Sequence, residues 1–333
     1  MHRLNLGRAG PHIATLGLGC MGMSGMYGAS SREESLATLR AALDAGINLI
    51  DTGDFYGMGH NELLIGEVLR GARRDDVTLS VKFGALRDPA GRWLGFDGRP
   101  SAVKNFLAYS LQRLGVDYID IYRPARLDPQ VPVEETVGAI ADAVRAGTVR
   151  YIGLSEVGPR TLRRAAAVHP VCDLQIEYSL FSRGIEAGIL PACRELGIGV
   201  TAYGVLSRGL LSGRWDGQPA PANDWRAAAP RFLGENLQRN LELVEALRPL
   251  AAARGASVAQ LAIAWVIAQG NDIVPVIGAR RRNQLAEALT AANLALTGEE
   301  LALLGQLVPP GAAAGDRYAP AQMAHLDSEQ SHG

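Results

Sequence analysis

Three residues in the first quarter of the chain have the types and spacing of a proton-transfer site. Asp51 and Tyr56 lie in the stretch NLIDTGDFYG, and Lys82 closes the apolar run VTLSV. Both stretches are typical of short strands, and a lysine at such a position is poorly solvated, so it needs an anion nearby, for which Asp51 is the candidate. A cation beside the Tyr56 phenol would lower its pKa from about 10 towards neutral pH. The pattern therefore predicts general acid catalysis, most naturally on a carbonyl oxygen.

The composition excludes several classes of protein. The 333 residues are 47% hydrophobic and 20% charged, as in a globular enzyme of one large α/β barrel or two average domains. A net charge of −1 indicates neither a nucleic-acid nor a membrane partner. No run approaches the ~20 apolar residues of a membrane span, and no signal peptide is evident. Three widely spaced cysteines are typical of reduced thiols, so we expect a cytoplasmic protein.

Apolar, β-rich runs alternate with amphipathic stretches along almost the whole chain. Ser31 and Glu34 predict a capping box at the first helix. Eight strands with helices between them, and no change of composition at mid-chain, predict a single closed (β/α)₈ TIM barrel of the α/β class. The strands are predicted at 13–18, 47–51, 77–82, 119–122, 151–154, 174–177, 199–203 and 273–277, and helix C-caps at Gly46, Gly115, Gly147 and Gly197.

Residues 1–310 are predicted to form this barrel, and residues 311–333 a C-terminal tail. The opening segment RLNLGRAGPHI predicts a short hairpin outside the eight strands. Residues 212–231 predict a loop after strand seven, and residues 240–269 supply more helix than one crossover needs. The tail is polar and without periodicity, so it is either disordered or a lid.

The glycines at 17, 19 and 22 spell G-x-G-x-x-G, the dinucleotide-binding pattern of the Rossmann fold. That pattern requires a helix that opens inside the motif, so that its N-terminus faces the pyrophosphate. Here the chain continues as the loop MSGMYGAS, and the helix begins only near Ser31. The acidic residue expected about 20 positions later is also missing. A glycine-rich loop at the mouth of a barrel is therefore the better interpretation.

Seven segments together resemble the aldo-keto reductase superfamily, over nearly the full length of the chain. In the order and spacing of that family they are LGLGCMGMS, INLIDTGDFYG with NELLIGEVL, VTLSVKFG, GLSEV, LQIEYSLF, TAYGVLSRGLLSG and PVIGARRRNQLAEAL. The resemblance implies a barrel that binds NADPH in an extended form, without a Rossmann domain. It also implies hydride transfer from the nicotinamide to an aldehyde or ketone, with Tyr56 as proton donor and with Lys82 and Asp51 tuning it.

The same resemblance implies a set of residues that hold NADPH. Ser155 and Gln175 would hydrogen-bond the nicotinamide carboxamide, and Tyr203 would stack on its ring. The segment 204–211 would line the pyrophosphate, and the segment 278–287 would meet the adenosine end. Arg280 of that segment would bind the 2′-phosphate, as a guanidinium suits a phosphate. The family often has an arginine and an asparagine where this chain has Gln284 and Ala288. The full set is Cys20, Met21, Asp51, Ser155, Gln175, Tyr203, Gly204, Val205, Leu206, Ser207, Gly209, Leu211, Ile277, Gly278, Ala279, Arg280, Gln284 and Glu287.

One departure from the family concerns its fourth active-site residue, a histidine in a run such as YQPHR. This chain reads YRPAR at 122–126, with Ala125 at the histidine position. An imidazole there would orient the carbonyl and share its developing negative charge. Three hypotheses follow: Tyr56 and Lys82 suffice for an activated aldehyde, another group takes over, or the pocket reduces a conjugated double bond or only binds cofactor. The candidate replacements are Arg123, Arg126, His60 and His325.

The favoured prediction is a cytoplasmic NADPH-dependent oxidoreductase that reduces an aldehyde or ketone, including a conjugated carbonyl, at the C-terminal face of the barrel. One alternative is an NADPH-binding regulatory or redox-sensing subunit with little turnover, which Ala125 favours. Another is a lyase or isomerase that uses the same pocket. The expected partner is a small carbonyl compound, no residues have the spacing of a metal site, and a homo-oligomer is left open. Trp215 and Trp225 either wall the substrate site or pin their loop to the barrel.

Overall fold

The computed structural model describes residues 1–70, 74–221 and 224–330. The chain opens with an antiparallel hairpin of β1 (Arg3–Asn5) and β2 (His12–Ala14), which confirms the predicted hairpin. The strand predicted at 13–18 is wrong in its first half, because Ile13 and Ala14 belong to this hairpin. The Asn48 side chain holds β2 there, since it accepts the N–H of Ala14 and donates to the carbonyl of His12.

Eight parallel strands close into a barrel, which confirms the predicted fold. Each barrel strand pairs with its neighbours in sequence order, and the last pairs with the first. An antiparallel pair lies outside this order. In chain order the strands are β3 (Gly17–Gly19), β4 (Leu49–Gly53), β5 (Thr78–Phe83), the outer pair β6 (Ala85–Arg87) and β7 (Trp93–Phe96), β8 (Ile119–Pro124), β9 (Val149–Ser155), β10 (Val171–Glu177), β11 (Gly199–Tyr203) and β12 (Ile273–Gly278).

Helices connect the strands around the outside of the barrel. Gly17 and Gly19 belong to β3, Gly22 lies in a 3₁₀ turn (Met21–Ser24), and the first α-helix begins only at Arg32. The glycine pattern is therefore not a Rossmann motif, as the sequence predicted. The helices are α1 (Arg32–Asp44), α2 (His60–Leu69), α3 (Pro100–Leu114), α4 (Val133–Arg145), α5 (Pro159–Val168), α6 (Ile189–Leu196), α7 (Gly234–Ala253), α8 (Val258–Ile267), α9 (Arg282–Ala291), α10 (Gly298–Leu307) and α11 (Pro320–Met323).

The helix ends follow the sequence signals with one exception. The glycines at 46, 115, 147 and 197 end α1, α3, α4 and α6 with φ of 89°, 66°, 80° and 69°, as predicted. Ser31 Oγ accepts the N–H of Glu34 at 3.3 Å and so caps α1. The Glu34 carboxylate does not complete the predicted capping box, because it binds Arg282 at the start of α9 instead (2.9 Å). That ion pair joins the first and last parts of the barrel wall.

Extra helix follows the seventh barrel strand, as predicted, in the form of α7 and α8. Among the described residues no single helix is long and apolar enough to cross a membrane; these two reach that length and composition only jointly, across an 85° bend. The preceding loop contains short 3₁₀ turns at Ser207–Ser212, Trp225–Ala228 and Pro230–Phe232. Two residues of the loop predicted at 212–231, numbers 222 and 223, lie outside the described part of the chain.

The N-terminal hairpin covers the bottom of the barrel, where the strands begin. Leu6, in the turn of the hairpin, is fully buried. The neighbouring Arg8 N–H donates to the carbonyl of Gly197, just before β11. The apolar cluster under the barrel consists of Leu6, Ile13, Leu49, Ile121, Cys172, Val274 and Val276.

The C-terminal tail lies at the opposite end, against the mouth of the barrel. Arg317 and Leu326 are buried, and Asp327 accepts the N–H of Gly158 at the start of α5 (2.8 Å). These contacts favour the lid over the disordered alternative. The last three residues of the predicted tail, 331–333, lie outside the described part of the chain.

Candidate active site

The lysine and aspartate singled out in the sequence meet at the carboxyl ends of neighbouring strands. In the register of β4 and β5, Asp51 pairs with Ser80 and Gly53 pairs with Lys82. Lys82 Nζ lies 2.5 Å from Asp51 Oδ2, and both side chains are buried. The buried ammonium thus has the anion that its position in the strand requires.

Asp51 is held in place by two further donors. The Ser80 hydroxyl and the Gln175 Nε2 each donate to its Oδ1 at 2.8 Å. Burial alone would raise the pKa of Asp51, but Lys82 and Arg123 outweigh it and hold that pKa below its usual value. The carboxylate therefore stays charged at neutral pH and fixes the Lys82 ammonium.

Tyr56 lies beside this ion pair, with the centre of its ring 5.4 Å from Lys82 Nζ. The predicted fall of its pKa is wrong in direction. Burial raises the pKa of Tyr56 well above 10, Asp51 adds to the rise, and Arg126 opposes it. Asp51 offsets the charge of Lys82, so desolvation of the phenol dominates. Tyr56 is thus protonated at neutral pH, as a proton donor must be.

Arg123 lies inside the barrel and not at its mouth, so the sequence-based suggestion that it replaces the histidine is wrong. Its side chain is fully buried, and Nη1 lies 3.0 Å from Asp173 Oδ2. Its Nη2 donates to Ser80 Oγ at 3.0 Å, and Ser80 in turn donates to Asp51. Arg123 therefore supports the Asp51 carboxylate through Ser80, from inside the barrel.

The other candidate replacements lie around the mouth. Ala125 is buried just after β8. His60 is exposed and shares a hydrogen bond with Ser24 Oγ (3.0 Å), and the His325 ring packs edge-on against Phe96, with centroids 5.5 Å apart. Arg126 is half-buried beside Ser155, at 3.4 Å. Of these side chains, only Arg126 contacts a residue of the predicted nicotinamide site.

The residues assigned to the nicotinamide lie on adjacent strands. Ser155 of β9 pairs in register with Gln175 of β10, and both are buried. Gln175 donates its Nε2 to Asp51, while its buried Oε1 has no hydrogen-bond partner among the described residues. Tyr203 ends β11 and donates to Glu156 at 2.7 Å. An unsatisfied buried amide oxygen fits a carboxamide N–H, so these residues are compatible with a nicotinamide.

The segment assigned to the pyrophosphate exposes backbone more than side chains. Ser207, Arg208 and Gly209 have positive φ of 44°, 56° and 109°, which turns the chain sharply after β11. Gly204, Leu206 and Gly209 are half-buried, and Gly278 is exposed. Of the other residues assigned to the cofactor, one is half-buried, Met21, and the buried ones include Cys20, Val205, Ser207, Leu211, Ile277 and Ala279.

The residues assigned to the adenosine end already bind one another and the loop after β3. Arg280 Nη1 donates to the carbonyl of Tyr27 at 2.6 Å, and its backbone N–H donates to Gln284 Oε1 at 3.1 Å. Glu287 accepts from Arg214 at 2.9 Å and from Ser257 at 2.7 Å. Arg280 and Glu287 thus join the loops on either side of the predicted cofactor groove.

Sequence reasoning missed a buried ionic network at the mouth. Glu156 accepts two hydrogen bonds from Arg317, at 2.9 and 2.8 Å. Glu177 forms ion pairs with Arg208 at 2.6 Å and Arg231 at 3.4 Å. Both glutamates end or follow apolar strands, as Lys82 does, and that same signal could have identified them.

An aromatic wall, also missed, runs from Tyr56 to the tail. Phe55 packs edge-on against Trp93 (5.8 Å), and Trp93 against Phe96 (5.3 Å), which contacts His325. Of these rings, Trp93 and Phe96 belong to β7 of the outer pair. An apolar wall beside a polar cluster is typical of a small-molecule site.

The two tryptophans of the long loop differ in position. Trp225 stacks on Tyr318 of the tail (6.1 Å), whose hydroxyl shares a hydrogen bond with that of Tyr203 (2.9 Å). Trp215 packs on Phe232 in its own loop (5.0 Å). Trp225 therefore lies at the mouth, and Trp215 pins the loop.

Comparison with known proteins agrees with this geometry. A profile of the Aldo/keto reductase family matches residues 15–308. The chain is 40% identical over 316 residues to the probable aldo-keto reductase 1 of Glycine max, covering 95% of this chain and 91% of that protein.

A glycerol dehydrogenase from Gluconobacter oxydans superposes with a TM-score of 0.82 at 28% identity, over 97% of this chain and 95% of that one. An aldo-keto reductase from Bacillus halodurans, in its holo form, gives 0.76 at 27% identity, over 92% and 96%. The chain belongs to the aldo-keto reductase family, whose members are oxidoreductases that use a nicotinamide cofactor.

Proposed function

We propose that this protein reduces an aldehyde or ketone to the alcohol with NADPH, and that Tyr56 supplies the proton. The observation that carries the proposal is the buried Lys82–Asp51 ion pair (2.5 Å) beside the Tyr56 ring at the carboxyl ends of the strands. A barrel places its reactive groups at this face. A protein that only bound a dinucleotide would have no use for a buried ion pair next to a protonated phenol.

Each of the three side chains has a separate task. Tyr56 is protonated because burial raises its pKa, so it can donate a hydrogen bond to a carbonyl oxygen and then transfer the proton as that oxygen becomes an alkoxide, a stronger base than phenolate. Lys82 stabilises the phenolate that remains after transfer. Asp51 holds Lys82 in position and is itself fixed by Ser80 and Gln175.

The cofactor would be held along the mouth from β9 to α9. When bound, its reduced nicotinamide supplies the hydride. Ser155 and the unsatisfied Gln175 Oε1 would bind the carboxamide, and Tyr203 would face the ring. The arginines at 280 to 282 around the start of α9 favour the 2′-phosphate of NADPH, since guanidinium groups and a helix N-terminus both suit phosphate.

We also propose that the reaction takes place in the cytoplasm and that the partner is a small carbonyl compound. The cysteines at 20, 172 and 193 are unpaired thiols, as expected in a reducing compartment. The aromatic wall of Phe55, Trp93 and Phe96 beside Tyr56 favours an aromatic or otherwise apolar substituent on the carbonyl.

The first test is the substitution Tyr56→Phe. We expect NADPH oxidation with benzaldehyde to fall by about 10² to 10⁴, the usual contribution of a general acid. NADPH binding, followed by quenching of tryptophan fluorescence, should be unchanged because the ring is kept. The assay follows absorbance of the reduced cofactor under saturating NADPH.

The matched control is Tyr109→Phe, which removes the hydroxyl of an exposed tyrosine on α3. It should match the wild type in rate and in NADPH affinity. Wild-type protein that binds NADPH and turns over no faster than Tyr56→Phe would refute the proposal. In that case a cofactor-binding protein without reductase activity would be the better description.

A further inference from the structure

We propose that Arg126 donates the second hydrogen bond to the substrate carbonyl oxygen, alongside Tyr56. This inference rests on the proposed function and concerns the same site. A carbonyl oxygen has two lone pairs, and Tyr56 satisfies only one of them. Lys82 is held by Asp51, and Ala125 has no polar group, so the second donor must come from elsewhere at the mouth.

The position of Arg126 suits this role. It follows β8, and its Nη1 lies 3.4 Å from Ser155 Oγ while its Nη2 lies 3.5 Å from the Tyr318 hydroxyl. Ser155 pairs in register with Gln175, which binds the catalytic Asp51. The guanidinium therefore lies at the nicotinamide end of the mouth, where a carbonyl must approach the cofactor.

The hydrogen bonds of Arg126 do not use all of its N–H donors. Its contacts to Ser155 and Tyr318 are at the outer limit of hydrogen bonding, and its one short bond is to the carbonyl of its own neighbour, Ala125 (2.6 Å). A guanidinium carries five N–H donors in a fixed fork. Donors therefore remain for a ligand.

The charge of Arg126 also differs from that of its neighbours. The buried arginines at 123, 208, 231 and 317 each form an ion pair with a buried carboxylate. No carboxylate among the described residues forms an ion pair with Arg126, although Arg126 is also partly buried. A cation in that setting is stabilised by an anion that arrives or forms there.

The field of Arg126 reaches the catalytic phenol. Arg126 acts to lower the pKa of Tyr56, against the effects of burial and of Asp51. A cation that stabilises negative charge on the phenol oxygen also stabilises it on a carbonyl oxygen hydrogen-bonded to that phenol.

Arg126 keeps its protons throughout the reduction of the carbonyl. As the carbonyl carbon accepts a hydride, the π electron pair moves to the oxygen, which gains negative charge. Arg126 donates hydrogen bonds to that oxygen and keeps its protons, because a guanidinium does not deprotonate in a protein. Tyr56 then protonates the oxygen, and the phenolate regains its proton from water.

The experiment compares Arg126→Ala with wild type on two aldehydes, benzaldehyde and 4-carboxybenzaldehyde. We expect kcat to fall by about 10² to 10³ with both, the usual effect of removing one such donor. KM and the affinity for NADPH should change little. Adding Ala125→His to Arg126→Ala should restore part of the lost kcat, and added guanidinium ion should do so too.

Arg239→Ala is the matched control, since Arg239 is an exposed arginine on α7, and it should match wild type. If Arg126→Ala fails to fold, Arg126→Gln, which keeps a planar donor without the charge, takes its place and should lose kcat with both aldehydes. Unchanged kcat, or a rise in KM confined to 4-carboxybenzaldehyde, would overturn the inference, the latter by making Arg126 a clamp for anionic substrates. Wild-type protein that binds NADPH but reduces neither aldehyde would overturn the proposed function itself.

Discussion

At the scale of single residues, Asp54 places a buried carboxyl group in the same turn as Tyr56. It is buried; its Oδ2 accepts a long hydrogen bond from the Gly84 N–H (3.4 Å), and its Oδ1 has no hydrogen-bond partner among the described residues. Burial, with a further contribution from Glu62, raises the pKa of Asp54 to about 8. Unlike Asp51, this carboxyl forms no ion pair with the described residues. Arg113 acts to lower its pKa but does not outweigh burial, so Asp54 is mostly protonated at neutral pH.

We therefore predict that Asp54→Asn stabilises the protein increasingly as pH rises. The pKa of Asp54 is higher in the folded than in the unfolded chain, so its contribution to stability is complete below the unfolded value near 4 and is lost as pH rises towards 8. Asparagine does not titrate and avoids this loss. The free energy of unfolding of Asp54→Asn should therefore exceed that of the wild type by an amount that grows between about pH 5 and about pH 8. The growth should be up to about 1.4 kcal/mol per pH unit.

Urea denaturation at several pH values measures this difference. Asp44→Asn, at an exposed aspartate at the end of α1, serves as the control and should give a difference that does not grow with pH. A constant difference for Asp54→Asn would show that Asp54 is ionised in the folded protein.

Residue types explain how much of the site could be predicted. Lys82 was predictable as a site residue because charged residues rarely end apolar strands. In the structure it forms an ion pair with Asp51, as expected. Glu156 and Glu177 follow the same rule, but both form ion pairs with an arginine that is distant in the sequence. Their partner Arg317 lies more than a hundred residues away, and spacing cannot predict such a pair.

At the scale of elements, we infer that residues 311–330 form a lid over the mouth. Arg317 binds Glu156 twice and also Glu329 of the tail itself (2.7 Å). Ser328 Oγ donates to Glu156 at 2.5 Å, and Tyr318 bonds Tyr203. Arg317 holds the pKa of Glu156 far below its usual range, although burial alone would raise it. The tail thus carries the charge that balances a buried carboxylate of the barrel.

Arg317→Ala should therefore release the tail while the barrel stays folded. Removing one partner of a buried ion pair leaves the other charge uncompensated, at a cost of about 3–5 kcal/mol. The tail can detach from the barrel, and water then solvates Glu156. The substitution should therefore destabilise the docked tail and leave the stability of the barrel largely unchanged. Limited proteolysis with mass spectrometry should detect faster cleavage within 311–330.

Arg163→Ala provides the comparison, because it breaks an exposed ion pair with Glu195 that is worth about 0–1 kcal/mol. It should leave the cleavage rate as in wild type. A tail that stays protected in Arg317→Ala would mean that its apolar contacts, such as buried Leu326, hold it without the ion pair.

One pair of strands outside the barrel repeat was not predicted from the sequence. The outer pair β6 and β7 is short and encloses the turn DPAG, so it carries no periodic apolar signal. It matters to the site because Trp93 and Phe96 extend the aromatic wall. The eight barrel strands, in contrast, were recognisable because burial on both faces makes them nearly continuous apolar runs.

At the scale of the whole molecule, the two ends of the barrel have different roles. The non-glycine residues with positive φ among the described residues are Met58, Glu156, Ser207 and Arg208, and all of them follow the carboxyl ends of strands. Such strained positions tend to gather at functional sites. The bottom of the barrel instead holds an apolar cluster closed by the N-terminal hairpin. Stability and chemistry should therefore be separable by mutation.

Leu6→Ala tests this separation. Leu6 is fully buried in the cluster under the barrel, so its truncation leaves a cavity and should lower the free energy of unfolding by about 2–5 kcal/mol. Leu303→Ala, at an exposed leucine on α10, should cost no more than about 0.5 kcal/mol. Both variants should keep the wild-type kcat and NADPH affinity at temperatures where they are folded, because neither residue contacts the mouth. A fall in kcat of folded Leu6→Ala would show that the bottom of the barrel is coupled to the Lys82–Asp51 pair, and that packing beneath the strands sets the geometry of the catalytic end.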